Sequence, residues 1–553
     1  MEQGRLFLAI VLSFLVFVGW EFFFVEKQEP VPPAAPVKNI EAPAPEERRS
    51  DNVSPEVLPS VPPSERAETP GTFFSALSIR TPLYSATISE KNAAIVSFVL
   101  SDYKERMGAG SPNKELISEN NPSGTAILGF TDKGASGISS AIFTTDFSGS
   151  ILDVKDTSQS VSFFWQSGAG LLVEKKYSFY PDSYKIKIEV VLKNLSAQPF
   201  SDDLTVSMIN SAPGDSTQFS FEGPFAYINS KLEEVPVKDL DEKNTLSGTI
   251  DWAGLTDQYF MSTVSPESSE PSSVLLKHNQ ENNLLEVQYI QETPSIQPSA
   301  QTVSEFFLYL GPKHMKSLKI AGGNLDQAIN FGFFDILAKP CLWLMNTIHD
   351  KWIPNYGVAI ILLTILFKII FWPLGSKSYK SMAEMKKLQP LMTQIREKNK
   401  NDKKKMNEEI MELYKTYKVN PMSGCLPMIV QIPVFFAFYR MLYGSIELRH
   451  APFIGWITDL SAPDRLFTFG FSVPLMTPPY GIPVLTIIMG ATMFLQQKLS
   501  PPPGDPAQAK MMMMMPLIFT FIFINFPAGL VLYWLVNNVL SISQQYYITK
   551  KIV

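Results

Sequence analysis

The sequence is short of the side chains that most enzymes use for chemistry. Its 553 residues include only two cysteines, Cys341 and Cys425, and four histidines. The cysteines lie far apart between apolar residues and match no metal-ligand spacing, so we expect two buried thiols and no metal site. A Gly-rich phosphate loop is absent as well, which excludes an ATP-driven machine. We therefore expect neither enzymatic activity nor a cofactor.

Acidic residues are absent from the long apolar segments of the C-terminal part. Within a membrane core at 351–553 we expect five membrane-spanning helices, at 358–374, 426–443, 482–495, 511–524 and 530–547, with a tight turn at 525–529 between the last two. A proton- or ion-coupled transporter would need a titratable acid or a paired counter-charge at mid-depth. The lack of acids therefore argues against a transporter or channel, which is kept as the alternative function.

The N-terminal segment contains a sixth apolar run. Residues 6–25 are about long enough to cross a hydrocarbon core, and no small-x-small cleavage site follows them. We therefore favour an uncleaved transmembrane anchor at 1–25 over a signal peptide. Residues 26–71 follow as a Pro-rich linker, with eleven prolines between 30 and 70. Such a composition cannot bury enough apolar surface to offset the entropy of ordering, so we expect a disordered tether.

Alternation of apolar and polar residues marks the middle of the chain, at 72–312. The segments 171–179 and 184–190 alternate as half-buried strands must, and the Pro-containing turn between them predicts a hairpin. Further strands are expected at 79–88, 94–100, 284–290 and 304–310. Many short strands with polar turns predict an all-β sandwich domain. A membrane-anchored carbohydrate-binding protein is the less favoured alternative, because no His–carboxylate pair can be read around His278 or His314.

Two further segments are apolar but unsuited to crossing a membrane. Residues 331–345 are interrupted by Asp335, Lys339 and Pro340, so within the stretch 313–350 we expect a linker and an amphipathic helix lying in the membrane interface. The segment 466–476 has only eleven residues. This is too short to cross, so we place it outside the membrane, against its surface.

Positive charge is concentrated on one side of the apolar segments. Residues 376–418 hold eleven Lys and one Arg against five Glu and one Asp, a net charge of +6. With six spans, the positive-inside rule places this stretch and both termini in the cytoplasm. The β-domain is then exported, which in a bacterium with two membranes means the periplasm. We call residues 444–481, on the exported side, the outer loop.

The basic stretch has a helical pattern of its own, and we call residues 376–418 the basic hairpin. Its apolar residues step by three and four in two groups, separated by the polar segment 399–402, which predicts two antiparallel amphipathic helices. The hairpin is either a solvated loop that only sets topology or a docking site for the ribosome or the nascent chain. The docking hypothesis depends on Met385, Leu388, Met392, Met406, Ile410 and Leu413.

One basic residue lies well inside an apolar segment. Lys368 is about 15 Å along a helix from Val358 and about 9 Å from Leu374. A charge at that depth marks a hydrated cavity, unless its long side chain reaches up to the cytoplasmic surface, and both interpretations stay open. A wet, positively charged notch would attract acidic segments and shorten the hydrocarbon path. Other polar groups on these segments are Thr364, one turn earlier on the same side, and Gln431, Arg440 and Asn537.

Between about residue 311 and residue 551 the chain carries a series of short motifs, at 355–364, 388–390, 413–415, 419–421, 424–427, 431–433, 447–449, 451–453, 456–457, 459–461, 526–534 and 544–545. In their residues and in their order, these motifs resemble those of the YidC family of membrane protein insertases. The preceding region matches more weakly, through its position and the residues at 252, 259–260 and 311–313.

The resemblance implies a protein that inserts and folds inner-membrane proteins, alone or beside the Sec translocon. It also implies a groove open to cytoplasm and lipid that holds one basic residue. Lys368 takes that place, where many members have Arg, and Tyr533 of the motif 526–534 joins the groove residues. The exported domain is expected to be a β-supersandwich of the sugar-mutarotase type. Expected partners are nascent inner-membrane proteins, the Sec translocon, the ribosome and lipids, without direct recognition of nucleic acid.

Overall fold

A computed structural model describes residues 76–108, 110–131, 137–213, 220–267, 270–417, 419, 426–500 and 506–552. The expected anchor at 1–25, the linker at 26–71 and Cys425 lie outside these described residues. The chain divides into two compact units, a large one of residues 61–502 with 513–553 and a small one of which the structure describes only residues 506–512.

Eighteen strands of the described chain form the β-domain. They are β1 (Ala76–Arg80), β2 (Tyr84–Ser89), β3 (Ile95–Lys104), β4 (Asn113–Glu115), β5 (Ile127–Phe130), β6 (Thr144–Thr145), β7 (Ile151–Asp153), β8 (Gln159–Gln166), β9 (Leu171–Phe179), β10 (Lys185–Asn194), β11 (Leu204–Ser211), β12 (Gly223–Ile228), β13 (Lys231–Glu234), β14 (Thr245–Thr256), β15 (Phe260–Pro266), β16 (Pro271–Asn279), β17 (Leu284–Gln291) and β18 (Gln301–Pro312). The predicted hairpin is β9–β10, and the strand expected at 79–88 is two strands with a turn between them.

The strands are arranged in one small and one large sheet. The small sheet has the order β4-β3-β2-β1-β7, and the large one runs β5-β11-β17-β16-β14-β15-β18-β10-β9-β8-β6. Strand β14 belongs to both halves of the large sheet. Its first residues pair with β16, and its last residues pair with β12 and β15. In β9 and β10 every second side chain is buried, as the alternating sequence predicts. The result is a β-sandwich with a continuous apolar core.

Nine helices of the described chain follow the strands. They are α1 (Met315–Ala321), α2 (Asp335–Lys351), α3 (Tyr356–Ile370), α4 (Trp372–Lys398), α5 (Lys403–Thr416), α6 (Leu426–Gly444), α7 (Val484–Leu499), α8 (Pro506–Phe523) and α9 (Ala528–Ile552). Strands β19 (Leu466–Phe469) and β20 (Tyr480–Ile482) form a small hairpin between α6 and α7. The segment expected at the membrane surface, 466–476, therefore begins as a strand.

The start of α3 is set by a cap and a glycine. The side chain of Asn355 accepts a hydrogen bond from the backbone N–H of Val358, and its amide donates to the carbonyl oxygen of Phe453. A Cβ on Gly357 would stand 2.1 Å from the Phe453 ring, so this position has no room for a side chain. The motif that begins at Asn355 therefore fastens α3 to the outer loop.

The span expected at 358–374 is bent. Helix α3 ends at Ile370 and α4 begins at Trp372, with an angle of 65° between them. The segment expected to span at 358–374 is therefore not one continuous helix: Pro373 lies in the first turn of α4, where its fixed φ favours a new helix start. Among the described residues this bent pair is long and apolar enough to cross a membrane, and no single helix is.

The basic hairpin consists of α4 and α5, with the polar connection at 399–402 between them. Asp402 caps α5 by accepting from the backbone N–H groups of Lys404 and Lys405. The apolar stripes of the two helices pack on each other, and the buried members of this separate small core are Leu388, Met392, Ile410, Tyr414 and Val419. The stripes thus have a core of their own, which amphipathic periodicity alone does not reveal.

Candidate functional site

Lys368 reaches across the helical region to α9. Its Nζ donates a hydrogen bond to the Oγ of Ser541, 2.6 Å away. The Ser541 hydroxyl in turn donates to the backbone carbonyl of Asn537, 2.7 Å away. Among the ion pairs of the described residues, none joins Lys368 to a carboxylate. A half-buried cation held by a neutral hydroxyl keeps its charge available to an incoming group.

The residue that receives Lys368 belongs to a polar row on α9. The row consists of Asn537, Asn538, Ser541, Gln544 and Gln545. These residues share one face because Ser541 is three or four positions from each of the two adjacent pairs. Four other helices contact it: α3 through Lys368, α4, α6 and α7. The Gln544 amide donates to the carbonyl of Trp372 on α4, and the Asn538 amide donates to the hydroxyl of Thr492 on α7. We call this set the α9 polar row.

Gln431 joins α6 to the same face. Its side-chain amide donates to the Oδ1 of Asn537 at 3.1 Å. Tyr533, one turn before Asn537, is buried and forms a side-chain hydrogen bond with Gln431. The Tyr533 ring stacks on Phe438 of α6, with 4.8 Å between the ring centroids. Four of the five predicted groove residues, Lys368, Gln431, Tyr533 and Asn537, therefore lie in one connected polar cluster.

Thr364 differs from its sequence-based description. Its side chain is only 2% exposed, and its hydroxyl donates to the carbonyl of Ile360 in its own helix. A threonine that is satisfied by the preceding turn presents no free polar group to its surroundings. Thr364 therefore packs inside the helical bundle, although it lies one turn from Lys368.

Sequence reasoning missed Ser541, the partner of Lys368, and Asn538, its neighbour in the α9 polar row. Both lie on the last apolar helix, where a single serine or amide side chain gives no signal of its function. Tyr379 of α4 also forms a side-chain hydrogen bond with Ser541. The available signal was the three-to-four spacing of polar residues on α9, which marks a polar face in an otherwise apolar helix.

The predicted docking residues of the basic hairpin fall into two classes. Leu388, Met392 and Ile410 are buried between α4 and α5. Met385, Met406 and Leu413 are partly buried at the edge of that core. The outward surface of the hairpin is mainly charged, and Met411 and Tyr417 are its exposed large apolar residues. The predicted residues therefore maintain the hairpin's shape, and any contact with a partner would involve its outer surface.

A buried carboxylate connects the outer loop with the segment that follows the β-domain. The side chain of Glu447 is 1% exposed, and its Oε1 accepts from the Asn346 amide of α2 at 3.1 Å. The Nε2 of His314 lies 3.9 Å from the same oxygen. The sequence does not show this pairing, because His314 and Glu447 are 133 residues apart in the chain and no local pattern connects them. Three elements meet at this carboxylate.

Comparisons with known proteins cover nearly the whole chain. The family model described as 60Kd inner membrane protein matches residues 348–553, and that of the YidC periplasmic domain matches residues 76–344. The chain is 38% identical over 558 residues to a membrane protein insertase YidC of Pelobacter propionicus, with 99% of both chains covered. It is 43% identical over 474 residues to that of Geobacter sulfurreducens, with 85% of this chain and 86% of the relative covered.

Solved structures also match. A crystal structure of an active YidC insertase, with its first transmembrane domain resolved, aligns with a TM-score of 0.38 and 19% identity, covering 87% of this chain and 93% of that one. A galactose mutarotase related enzyme from Lactobacillus acidophilus aligns with 42% of this chain, with a TM-score of 0.31 and 11% identity.

Proposed function

Since the chain belongs to the YidC family of inner-membrane protein insertases, we propose that Lys368 and the α9 polar row form the hydrophilic groove through which it inserts its substrates. The observation that supports this proposal most directly is the 2.6 Å hydrogen bond from the Lys368 Nζ to the Ser541 Oγ. Within the part of the chain that the structure describes, no carboxylate forms an ion pair with this cation. A substrate carboxylate can take over this cation at little cost, because a neutral hydroxyl binds an ammonium more weakly than an anion does.

The groove lowers the cost of moving polar residues through part of the bilayer. Polar side chains from α3, α6 and α9 replace water around an entering segment, and the lysine attracts acidic residues in it. The apolar part of the substrate then supplies the driving force, at roughly 25 cal/mol for each Å² that moves from water into lipid. This mechanism needs no nucleotide and no bond-making step.

The proposed topology follows from charge and apolar length. Six transmembrane helices place both termini and the basic hairpin in the cytoplasm and the β-domain in the periplasm. The bend between α3 and α4 supports this arrangement, because it turns the chain out of the apolar segment just where the basic residues begin. The proposed domain boundaries are those predicted from the sequence, with the membrane core at 351–553.

The proposed partners follow from the same layout. The basic hairpin, with its net charge of +6, serves as the contact with the ribosome or the nascent chain. Its separate small core supports this role, since a hairpin that folds by itself can present a defined surface. Cooperation with the Sec translocon and contact with lipids rest on the family resemblance. Direct recognition of nucleic acid is not part of the proposal.

A charge series at Lys368 tests the groove. Lys368→Arg should be nearly neutral, since charge rather than bidentate geometry is required. Lys368→Ala should harm insertion of substrates with acidic translocated segments most, and Lys368→Glu should be worse for the same class because attraction becomes repulsion. Reconstituted vesicles with one acidic and one neutral two-span substrate provide the measurement. Equal loss for both substrates, or no loss, would contradict the proposal.

Cysteine accessibility supplies an independent readout. In a chain that lacks Cys341 and Cys425, a water-soluble maleimide added from the cytoplasmic side should label Lys368→Cys. Thr364→Cys is the matched control, because Thr364 is 2% exposed and should stay protected. If Lys368→Cys also stays protected, Lys368 does not face water and the groove must lie elsewhere.

A further inference from the structure

The outer hairpin, residues 466–482 around β19 and β20, exposes large apolar side chains. Phe467, Phe471 and Leu475 are 71%, 65% and 78% exposed. No residue between 466 and 482 is charged or histidine. Exposure of three such side chains to water is unfavourable relative to their burial, so we expect another apolar phase or surface to contact them.

The base of the outer hairpin is fixed to the turn between α8 and α9. The Arg465 guanidinium donates to the carbonyl of Ile524, 2.8 Å away, and to the side-chain oxygen of Asn525. The Asn525 amide donates to the carbonyl of Leu475 at 2.9 Å, and its oxygen accepts from the backbone N–H of Thr477. The hairpin therefore has a set position at the outer ends of two apolar helices.

The backbone holds the apolar side chains outward. Phe467 and Leu475 have positive φ angles of 55° and 65°, a region that bulky residues rarely adopt. The rings of Phe469 and Phe471 stack with 5.2 Å between their centroids, which aligns them as one flat surface. The two most exposed side chains of the hairpin, Phe467 and Leu475, therefore lie on backbone in this uncommon conformation.

The apolar surface of the hairpin continues that of α8. Phe521 and Ile522, near the outer end of α8, are both about half exposed, and only the fixed turn separates them from the hairpin. The faces of apolar helices that remain exposed in a membrane protein contact lipid, so the hairpin extends a lipid-facing surface. Its two strands pair only with each other, and unpaired edges exclude it from the hydrocarbon centre.

We propose that the outer hairpin is a lipid-binding foot, which inserts Phe467, Phe471 and Leu475 into the interface of the leaflet at the outer ends of α8 and α9. The binding is hydrophobic, because the outer hairpin carries no charge and Arg465, just before it, donates its hydrogen bonds within the protein. The foot holds the outer ends of these helices at a constant depth. Its location is independent of whether Lys368 forms the groove.

Depth-dependent fluorescence quenching tests this proposal. The full-length chain without Cys341 and Cys425 receives one cysteine, Phe471→Cys or Leu475→Cys, which is labelled with a small environment-sensitive fluorophore and reconstituted into phosphatidylcholine vesicles. We expect lipids with a nitroxide near the headgroup end of the acyl chain to quench most of the emission at both positions. Iodide present on both sides of the membrane should quench little.

Two control positions show how strongly each quencher acts on a label in lipid and on a label in water. Ile522→Cys on α8 should be quenched by the lipid nitroxide, and Lys155→Cys, at a β-domain side chain that is 75% exposed, should be quenched by iodide. If the hairpin labels follow Lys155→Cys, the hairpin lies in water and the proposal fails. If neither quencher reaches them, a protein surface covers the hairpin, whether from this chain or a second copy, and the proposal fails as well.

The charge of the lipid headgroups provides a second test of the proposal. Replacing a third of the phosphatidylcholine by an anionic lipid, or raising the salt concentration, should leave the nitroxide quenching of both hairpin labels unchanged. A quenching that grows with anionic lipid and falls with salt would show that headgroup charge recruits the hairpin, which would overturn a hydrophobic foot.

Discussion

The guanidinium of Arg449 lies 2.6 Å from the backbone carbonyl oxygen of Lys104 and so joins the outer loop to the end of β3. It also donates to the carbonyl of Glu105 and stands 5.3 Å from the centre of the Phe260 ring. Close by, the Gln258 amide donates to the carbonyl of Tyr443 at the end of α6. The β-domain is thus packed on the outer ends of the helices through polar contacts that reach from strands to loop.

Arg449→Ala should loosen this joint. Hydrogen bonds from a charged group contribute about 1.5–3 kcal/mol each, so we expect a lower unfolding temperature in detergent and faster proteolysis between the β-domain and the helices. Arg449→Lys should recover part of the loss, since it keeps the charge without the planar fork. Arg106→Ala, at an exposed arginine next to the same strand, is the control. Equal effects of the Arg449 and Arg106 replacements would contradict the joint.

Deletion of residues 75–300 should leave insertion largely intact. The contacts of Lys368, Gln431 and the α9 polar row all lie within the helical region, so the proposed groove does not depend on the sandwich. The deletion removes Lys104 and Phe260, so the shortened protein should be less stable. Insertion of one small substrate, normalised to the amount of protein in the membrane, is the measurement. Complete loss at normal membrane levels would show that the β-domain takes part.

Replacement of the basic hairpin should impair insertion while the rest stays folded. The first turns of α4 must be kept, because Ser376 and Tyr379 contact the α9 polar row. A flexible linker in place of 383–416 removes the small core without touching that contact. A charge-preserving control, Met411→Ser with Tyr417→Ser, leaves the core in place and tests the exposed apolar residues alone. If insertion is unchanged after the replacement, the hairpin only sets topology.

The buried Lys175 should give the β-domain a characteristic pH dependence. Burial lowers the pKa of Lys175 well below its usual 10.5, and its Nζ donates to the carbonyls of Ala93 and Ala126. The unfolded chain then binds a proton more readily, so the free energy of unfolding should rise as pH rises from the lowered pKa towards 10.5. Lys175→Met keeps the volume and should reduce this slope, as thermal unfolding across that pH range would show. Burial also lowers the pKa of Lys185 and of Lys313, so these two lysines should account for the slope that remains. A slope that is unchanged in Lys175→Met would contradict the prediction.

Much of the architecture follows from local patterns in the sequence. The period-two segments became β9, β10, β17 and β18, and the three-to-four spacing of 382–417 became a helical hairpin. Lys368 stood out because it interrupts an apolar segment. Each of these signals needs only neighbours within a few residues, since strand and helix periodicities are local properties of the backbone.

The tertiary structure decided which distant residues meet. Lys368 bonds to Ser541, Arg449 to the end of β3, and His314 and Asn346 converge on Glu447, across separations that no periodicity spans. The same holds for Thr364, whose burial depends on the helices that pack around it. Composition and periodicity determine which face of an element is apolar. Only the packing of all elements determines which face meets which, because that choice minimises exposed apolar area and unpaired polar groups over the whole chain.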